Sequence, residues 1–280
     1  MISILLFTAI VLLGSYFAGL LGSLTGLGGG FIVIPLLTLL LHVNIHYAIG
    51  ASLVSVIATS SGAAAAYVRE GITNIRIGMF LEIATTAGAL VGAVLAMYIP
   101  ASYIAILFGG ILIFSAINSL AKKNLGVNKE SSKLALKLKL NSTYPTPDGP
   151  VEYGVVKVAG GFVMMIFAGM ISGLLGIGSG ALKVIAMDGI MRIPFKVSTT
   201  TSNFMIGVTA SASAVVYLQR GYINPEIAMP VVIGVLLGAL SGSKILVHSK
   251  SSGWLKWVFA VVVTILAIQM IYNGATGKLS

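Results

Sequence analysis

The chain contains an internal repeat. Residues 17–30 read FAGLLGSLTGLGGG, and residues 167–180, at an offset of 150, read FAGMISGLLGIGSG. The same offset aligns further identical residues without a gap: Ser52 with Ser202, Tyr67 with Tyr217, Gly71 with Gly221, Asn74 with Asn224, and residues 88–90 with residues 238–240. A match this long indicates a duplicated structural unit. Matching glycine-rich interruptions in two apolar halves are typical of secondary transporters, in which the broken helices of both repeats build the binding site.

The composition places this duplicated unit in a membrane. Hydrophobic residues make up 57% of the chain and charged residues 9%, and the mean hydropathy is +1.03. Too little polar surface is available to cover a water-soluble fold. The first apolar run has no basic n-region and no small-residue cleavage site, so we interpret it as a mature helix. We predict an all-α integral membrane protein with about ten transmembrane segments, five per repeat, at residues 2–24, 27–41, 47–68, 77–99, 103–120, 155–175, 177–191, 197–218, 227–247 and 254–272.

The charged and sulfur-containing residues exclude several kinds of site. The chain has no cysteine, which excludes disulfides, thiolate chemistry and cysteine-based metal sites. Its histidines and carboxylates form no pattern with metal-ligand spacing, so the sequence predicts no metal and no cofactor. The net charge of +10 comes mainly from loop residues. We therefore expect the bilayer, with its anionic inner leaflet, as the partner of this charge, and no nucleic acid.

The distribution of lysine and arginine predicts the topology. If every segment crosses, one side of the membrane holds Arg220 and Lys278, and the other holds fourteen basic residues: Arg69, Arg76, Lys122, Lys123, Lys129, Lys133, Lys137, Lys139, Lys157, Arg192, Lys196, Lys244, Lys250 and Lys256. If the second and seventh segments enter and leave on one side, the split falls to eleven against five. The positive-inside rule favours ten crossings, a cytoplasmic central loop and both termini outside.

An odd number of crossings per repeat gives the two repeats opposite orientations. The predicted units are a first transmembrane repeat at residues 1–121, a cytoplasmic linker loop at residues 122–153 and a second transmembrane repeat at residues 154–280. In the linker, KLALKLKL alternates Leu with Lys and precedes the turn-rich NSTYPTPDGP, a pattern that predicts a surface strand or hairpin.

The second and seventh segments are too short to span the bilayer as helices. Each has fifteen residues, or roughly 22 Å of helix against a hydrocarbon core of about 30 Å. The neighbouring glycine-rich stretches must then lie within the membrane, where protein or a water-filled cavity has to cover their backbone. Pro35 interrupts the second segment and is a candidate hinge.

These glycine-rich stretches are candidate anion sites. Glycine permits close backbone approach, and a helix N-terminus offers free N–H groups and the positive end of the dipole. Close helix packing is the alternative explanation for such glycines. The candidates are Gly26, Gly28, Gly29 and Gly30 in the first repeat, and Gly176, Gly178, Ser179 and Gly180 in the second.

Three ionisable residues inside apolar segments are further candidates. Lys183 is expected to neutralise a bound anion, or alternatively to extend its ammonium group to the interface. Glu82 and Asp188 are candidate coupling residues, and Glu82 has a structural alternative, a hydrogen bond to the opposite repeat.

Hydroxyl groups recur in the third and eighth segments, where the offset pairs Ser52 with Ser202, Thr59 with Thr209 and Ser61 with Ser211. About half of these hydroxyls are expected to bond backbone carbonyls of their own helix. Ser52, Ser202 and Asn203, near the segment starts, are the ones that we predict as ligands.

The chain resembles the TauE/SafE family of sulfite exporters, also called TSUP permeases. The resemblance rests on FAGLLGSLTGLGGGFIVIPLL, its echo FAGMISGLLGIGSG, and the small polar stretches GASLVSV and TTTSNFMI. It implies transport of sulfite or organosulfonates across prokaryotic cytoplasmic membranes, in either direction. Ser179 and Ile185 depart from the glycine and proline expected in the second motif, which argues against a symmetric site.

The sequence thus predicts a permease that moves a small anion, a sulfur-containing one such as sulfite or an organosulfonate, by alternating access. Coupling to H⁺ or to Na⁺, the direction of flux, and a monomeric or homodimeric state stay open. An anion channel and an intramembrane enzyme are the alternatives. Scattered carboxylates and end-placed histidines argue against the enzyme.

Overall fold

The computed structural model describes residues 4–25, 29–120, 128–146, 149–248 and 253–278, and most of them are helical. The first half of the chain forms α1 (Ile4–Thr25), α2 (Gly30–Pro35) with a π-helical continuation (Leu36–Leu40), α3 (Ile45–Arg69), α4 (Ile75–Ala96) and α5 (Ala101–Leu120). The linker forms α6 (Lys133–Lys137), β1 (Ser142–Thr146) and β2 (Gly149–Tyr153). The second half forms α7 (Val158–Leu175), α8 (Gly180–Val184) with a π-helical continuation (Ile185–Ile190), α9 (Phe195–Gln219), α10 (Pro225–His248) and α11 (Gly253–Ala275).

The helices have the length and surface of membrane-spanning segments. Within the described ranges, five are long and apolar enough to cross a bilayer, and they lie in α1, α3, α4, α7 and α9. Shorter apolar helices include Gly30–Leu40, Ala101–Ile117, Pro225–Ser241 and Ala260–Ala275. Large apolar side chains such as Leu13, Met79 and Phe167 are exposed on helix faces, as expected where lipid is the solvent. The structure agrees with the predicted all-α membrane protein, and the number of about ten transmembrane segments stays a prediction.

The short helices of the two halves change geometry at matching positions. Each begins as α-helix and continues as π-helix, at Leu36 in the first half and at Ile185 in the second. Pro35 precedes the first change, but the second occurs without a proline. The wider turn therefore occurs in both short helices, in one after a proline and in the other without one.

Glycines bring helices from opposite halves into close contact. A Cβ atom at Gly169 of α7 would overlap the Thr85 carbonyl of α4, and one at Gly173 would overlap the Ala89 carbonyl. Both residue numbers rise together along the contact, so α4 and α7 run parallel. Ala89 itself is fully buried in this contact.

The equivalent contact is repeated with the halves exchanged. A Cβ atom at Gly234 of α10 would approach the Leu12 carbonyl of α1, and one at Gly238 would meet the Leu20 backbone nitrogen. Helices α1 and α10 therefore also run parallel. Since α1 corresponds to α7 and α4 to α10 under the offset, the two halves contact each other reciprocally.

Corresponding helices run antiparallel where they meet. At one end of the pair α3 and α9, Gly50 packs against the Tyr222 carbonyl just beyond α9. At the other end, the Asn74 N–H beyond α3 donates to Thr201 Oγ1 near the start of α9, at 3.0 Å. The start of each helix thus lies beside the end of its counterpart.

The pair α5 and α11 shows the same relation. Gly109 in the middle of α5 packs against Ala267 of α11, and Gly274 near the end of α11 packs against the Ser102 carbonyl at the start of α5. Two of the five helix pairs related by the duplication are therefore antiparallel neighbours.

The linker prediction is half right. The hairpin is confirmed, since β1 and β2 pair antiparallel with Ser142 opposite Tyr153 and Thr146 opposite Gly149. The alternating Leu–Lys stretch is wrong as a strand, because Lys133–Lys137 forms a helix. Ser132 caps that helix by accepting the Ala135 N–H at 3.3 Å, and this local hydrogen bond favours a turn over extended pairing.

Asn74 fastens the linker to the helices. Its Oδ1 accepts the Ile77 N–H at 3.1 Å and caps α4, while its Nδ2 donates to the Tyr153 hydroxyl at 2.7 Å and to the Leu140 carbonyl at 3.0 Å. Burial raises the pKa of the Tyr153 phenol, and the hydrogen bond with Asn74 acts in the opposite direction. The equivalent Asn224 accepts the Glu226 N–H at the start of α10.

Candidate functional site

A buried chain of polar groups connects the two halves. Lys183 lies in α8 with none of its surface exposed, and its Nζ donates to Thr209 Oγ1 at 2.6 Å. The Thr209 hydroxyl lies at 2.6 Å from Glu82 Oε1, to which it donates. One hydroxyl of α9 therefore joins an ammonium group of the second half to a carboxylate of the first half. We call Lys183, Thr209 and Glu82 the charge bridge.

The burial of Lys183 disagrees with the interfacial alternative for its side chain. An ammonium group that extended to the interface would be exposed, and this one is not. The bond predicted as the structural alternative for Glu82, to the opposite repeat, is present through Thr209. A buried charge without a partner is costly in lipid, so each charged group of this bridge stabilises the other.

The two oxygens of Glu82 differ. Oε1 accepts from Thr209 and also from the Thr86 hydroxyl, at 3.1 Å. Oε2 is buried and has no hydrogen-bond partner in the part of the chain that the structure describes. The Glu82 residue as a whole is 8% exposed. It thus carries one saturated acceptor and one open position.

Small residues and helix caps bring these groups together. Asn74 fixes the first turn of α4, two turns before Glu82. In that first turn, Gly78 lets α4 approach the ring of Phe204 and the methyl group of Thr201 on α9. This approach places Thr209, two turns further along α9, within hydrogen-bond distance of Glu82.

The described part of the glycine-rich stretches lies next to this region. Gly176, Gly178 and Ser179 have positive φ angles of 68°, 72° and 47°, so the chain turns sharply before α8. The Ser52 hydroxyl donates to the Gly176 carbonyl at 2.9 Å, and a Cβ atom at Gly30 would contact that same hydroxyl. The two glycine-rich stretches therefore meet at Ser52.

These glycines also pack closely against side chains. A Cβ atom at Gly29 would contact Val235, and one at Gly178 or at Gly180 would contact Ile206. The contacts of these described glycines are therefore those of close helix packing, which is the alternative explanation to an anion site. Gly26 and Gly28 lie outside the described residues.

Of the remaining predicted residues, Ser202 and Ser179 lie at the same turn. The Ser202 hydroxyl donates to the Gly180 carbonyl at 3.2 Å, so Ser52 and Ser202 both use their proton on backbone. The Ser179 side chain is 1% exposed, and its Oγ has no hydrogen-bond partner among the described groups. Asn203 is half-buried on α9, and Asp188 lies buried in the π-helical part after α8. Pro35 is the last residue of α2 and is buried.

A cavity of about 270 Å³ opens between α3 and α9. Ser61 and Ser211, which correspond under the offset, face it from opposite helices, and their hydroxyls donate to the Ile57 and Gly207 carbonyls at 2.7 and 2.8 Å. Their lone pairs stay available. The full lining is Ser60, Ser61, Ala64, Phe204, Gly207, Val208 and Ser211.

Sequence reasoning did not select Thr209 as a site residue. The sequence feature that could have identified Thr209 is its alignment with Thr59 under the offset of 150 residues. Thr59, however, donates only to carbonyls of its own helix, Ser55 and Val56, at 3.0 and 3.2 Å. The positions equivalent to Lys183 and Glu82 are Val33 and Val232. The charge bridge therefore occurs once, and a search for symmetric features does not reveal it.

The family model described as "Sulfite exporter TauE/SafE" matches residues 11–270. The chain belongs to the TauE/SafE family. Among relatives in this family, the chain is 28% identical to the probable membrane transporter protein YunE of Bacillus subtilis, over 96% of this chain and 98% of the relative. It is 30% identical to the probable membrane transporter protein YdhB of the same organism, over 84% and 89%. An archaeal relative, the probable membrane transporter protein MJ0441 of Methanocaldococcus jannaschii, is 25% identical over 86% and 87%.

Membership in TauE/SafE agrees with the duplicated, apolar fold. The relatives are named as membrane transporters, and their names give no substrate. No solved structure matches the chain significantly.

Proposed function

We propose that this chain is a secondary transporter that carries a small anion, sulfite or an organosulfonate, across the cytoplasmic membrane by alternating access. The family description and the names of the relatives support a transporter. The proposal includes coupling to an ion gradient, with H⁺ and Na⁺ as the two candidates. Two transmembrane repeats, residues 1–121 and 154–280, move relative to each other, and the linker at residues 122–153 lies in the cytoplasm.

The proposed repeats are inverted. The antiparallel courses of α3 with α9 and of α5 with α11 support this orientation, because these are the corresponding helices of the two repeats. The parallel courses of α1 with α10 and of α4 with α7 agree with it. Inverted repeats permit alternating access, since exchanging the conformations of the two halves converts an outward opening into an inward one.

The observation that carries the anion assignment is the fully buried ammonium group of Lys183. It lies on a short broken helix, directly after a sharp glycine-rich turn, and its charge is neutralised from the other repeat through Thr209. A bound anion can take over this neutralisation when it enters between the halves. Ser179, whose buried hydroxyl has no partner among the described groups, lies one turn away and supports an anion position here.

The test is binding and transport of sulfur anions by purified protein. Thermal-shift measurements with sulfite, thiosulfate, sulfate, taurine and sulfoacetate identify an anion that stabilises the fold, since ligands stabilise the state they bind. Counterflow of that anion in proteoliposomes then separates a carrier from a channel. A channel gives no saturable counterflow, and an enzyme alters the anion chemically. Either result, or no stabilising anion, would contradict the proposal.

The variant Lys183→Ala connects the activity to the site. We expect its affinity for the stabilising anion to fall at least about tenfold, because a hydrogen bond to a charged group contributes about 1.5–3 kcal/mol. Lys196→Ala is the matched control, since Lys196 is exposed near the start of α9. Full affinity in Lys183→Ala would remove this residue from the binding site.

A further inference from the structure

We propose that each anion is transported together with one proton, and that this proton binds Glu82 while the anion binds Lys183. The inference rests on the proposed anion transport and names its coupling ion and stoichiometry. It follows from the charge bridge, in which a buried cation and a buried anion of opposite halves share one hydroxyl.

The argument is a charge balance inside the membrane. In the empty site, Lys183 and Glu82 together carry no net charge. A monovalent anion alone would bring the site to −1, and a proton alone would bring it to +1. Net charge buried in lipid is strongly unfavourable, so both half-loaded states are disfavoured. Anion and proton together restore neutrality, and only the empty and the doubly loaded site are then free to change access.

The atoms of Glu82 fit this exchange. Oε1 keeps its two hydroxyl donors, Thr209 and Thr86, while Oε2 has no hydrogen-bond partner among the described groups. A proton added to Oε2 therefore breaks no hydrogen bond. Protonation removes the negative charge that Lys183 faces through Thr209, which leaves the ammonium group available to the entering anion. On the opposite side of the membrane the anion leaves, the proton leaves Oε2, and the charge bridge forms again.

In the part of the chain that the structure describes, helices α7 and α9, which pack against α4, hold no further buried charged side chain. Helix α7, which packs along α4, contains no ionisable residue. Helix α9 has ionisable residues only near its ends, the exposed Lys196 and the buried Tyr217. Arg76 lies in the first turn of α4, and its guanidinium donates to the Lys139 carbonyl in the linker at 3.4 Å. Asp188 lies in the π-helical part, five residues after Lys183.

The geometry favours H⁺ over Na⁺ as the coupling ion. Sodium ions require several oxygen ligands, and Thr209 and Glu82 are the nearest oxygens on this bridge. The Thr209 oxygen, however, already accepts a hydrogen bond from an ammonium group at 2.6 Å. A sodium ion bound there would lie directly beside another positive charge, whereas a proton on Oε2 becomes part of a neutral carboxylic acid.

The experiment measures accumulation of two sulfonates in proteoliposomes. Methanesulfonate is a monoanion and sulfoacetate a dianion at neutral pH. With the membrane potential clamped to zero by valinomycin and potassium, a lumen more alkaline by one pH unit should accumulate methanesulfonate about tenfold if one proton accompanies it. A membrane potential should leave methanesulfonate accumulation unchanged, because that pair is neutral. Sulfoacetate with one proton would leave the site with one negative charge, so it should be transported more slowly than methanesulfonate.

Variants assign the proton to Glu82. In Glu82→Gln the site carries a permanently neutral side chain, so we expect the pH-driven accumulation ratio to fall to about 1, with counterflow at a rate that no longer depends on pH. Glu70→Gln, in the exposed loop after α3, should accumulate like the wild type. The double variant Glu82→Gln, Lys183→Met has no buried charge on the bridge and should fold but exchange no anion.

The outcomes separate the two proposals. If the wild type shows no counterflow of any sulfur anion, the proposed function is wrong, and the coupling inference is wrong with it. If counterflow occurs but accumulation ignores the pH gradient, follows a sodium gradient, or persists at the wild-type level in Glu82→Gln, only the coupling inference is overturned.

Discussion

At Thr209 a single hydroxyl lies between two buried charges. It accepts a hydrogen bond from Lys183 and offers its own proton to Glu82, with the Met205 carbonyl as the alternative acceptor at 3.0 Å. A methyl group in its place would leave both charged groups without this contact in a region that water does not reach. The geometry therefore makes Thr209 a positioning residue for the two groups that we propose to bind the anion and the proton.

Thr209→Val should destabilise the protein, and Thr209→Ser should not. Valine keeps the shape but removes the hydroxyl, and a buried polar group left without its partner costs about 1–3 kcal/mol or more when charged. The midpoint of thermal unfolding in detergent measures the effect. Thr59→Val, at the equivalent position of the first repeat, is the internal control, since its half-buried hydroxyl bonds only its own helix. Equal midpoints for Thr209→Val and Thr209→Ser would contradict the role of the bridge.

Sequence reasoning reached two of the three members of the bridge. Lys183 and Glu82 attract attention because ionisable residues are rare inside apolar segments. Thr209 is one of many hydroxyls in α9, and most of these bond a carbonyl one turn earlier, as Thr200 does with Lys196. Which hydroxyl contacts a charge from another helix depends on the packing of α4 against α9, and no local sequence pattern carries that information.

At the scale of elements, the closest contacts lie along α4 with α7 and α1 with α10. In both pairs, glycines on one helix face backbone carbonyls of the other, and this contact allows the axes to approach. The recurrence of Gly88 as Gly238 was visible in the sequence. The partner helices were not, because the offset shows which elements are alike but not which elements touch.

Gly88→Ala should destabilise the protein more than Gly110→Ala. A Cβ atom at Gly88 would overlap the Ile166 carbonyl of α7, whereas nothing lies within 4 Å of a Cβ atom at Gly110, which is exposed on α5. Overpacking against backbone costs about 1–3 kcal/mol, and alanine in an open helix position gains roughly 0.5–1 kcal/mol over glycine. Thermal unfolding midpoints compare the two variants. A Gly88→Ala variant as stable as Gly110→Ala would show that α4 and α7 do not approach this closely.

The linker shows where a local pattern is ambiguous. Alternating Leu and Lys fits a strand, yet α6 forms because Ser132 caps it and Ala135 is buried against the neighbouring segments. The turn-rich sequence that follows predicted the hairpin, and this prediction is confirmed. Its attachment through Asn74 and Tyr153 was not predictable, because the repeat aligns Asn74 with Asn224, whose side chain accepts the Glu226 N–H at the start of α10.

At the scale of the whole molecule, two similar halves meet without being equivalent. The halves share their helices, their π-helical turns and their glycine contacts, and these shared features follow from the duplication in the sequence. The charge bridge exists in one copy, because valines occupy the positions equivalent to Lys183 and Glu82. The shared architecture agrees with the proposed exchange of conformations between the two halves. The single charge bridge would provide one site at which the anion and the proton bind and leave.

Labelling of single cysteines tests the proposed orientation of the halves directly. Glu70 and Arg220 occupy equivalent positions, in the exposed loops after α3 and α9, and the chain has no native cysteine. In inverted repeats these two loops lie on opposite sides of the membrane, and the positive-inside rule places Glu70 in the cytoplasm and Arg220 outside. A membrane-impermeant maleimide should therefore label Arg220→Cys in intact cells and label Glu70→Cys only after permeabilisation. Labelling of both variants, or of neither, in intact cells would mean that the repeats run in the same direction, and alternating access by exchange of two inverted halves would then be ruled out.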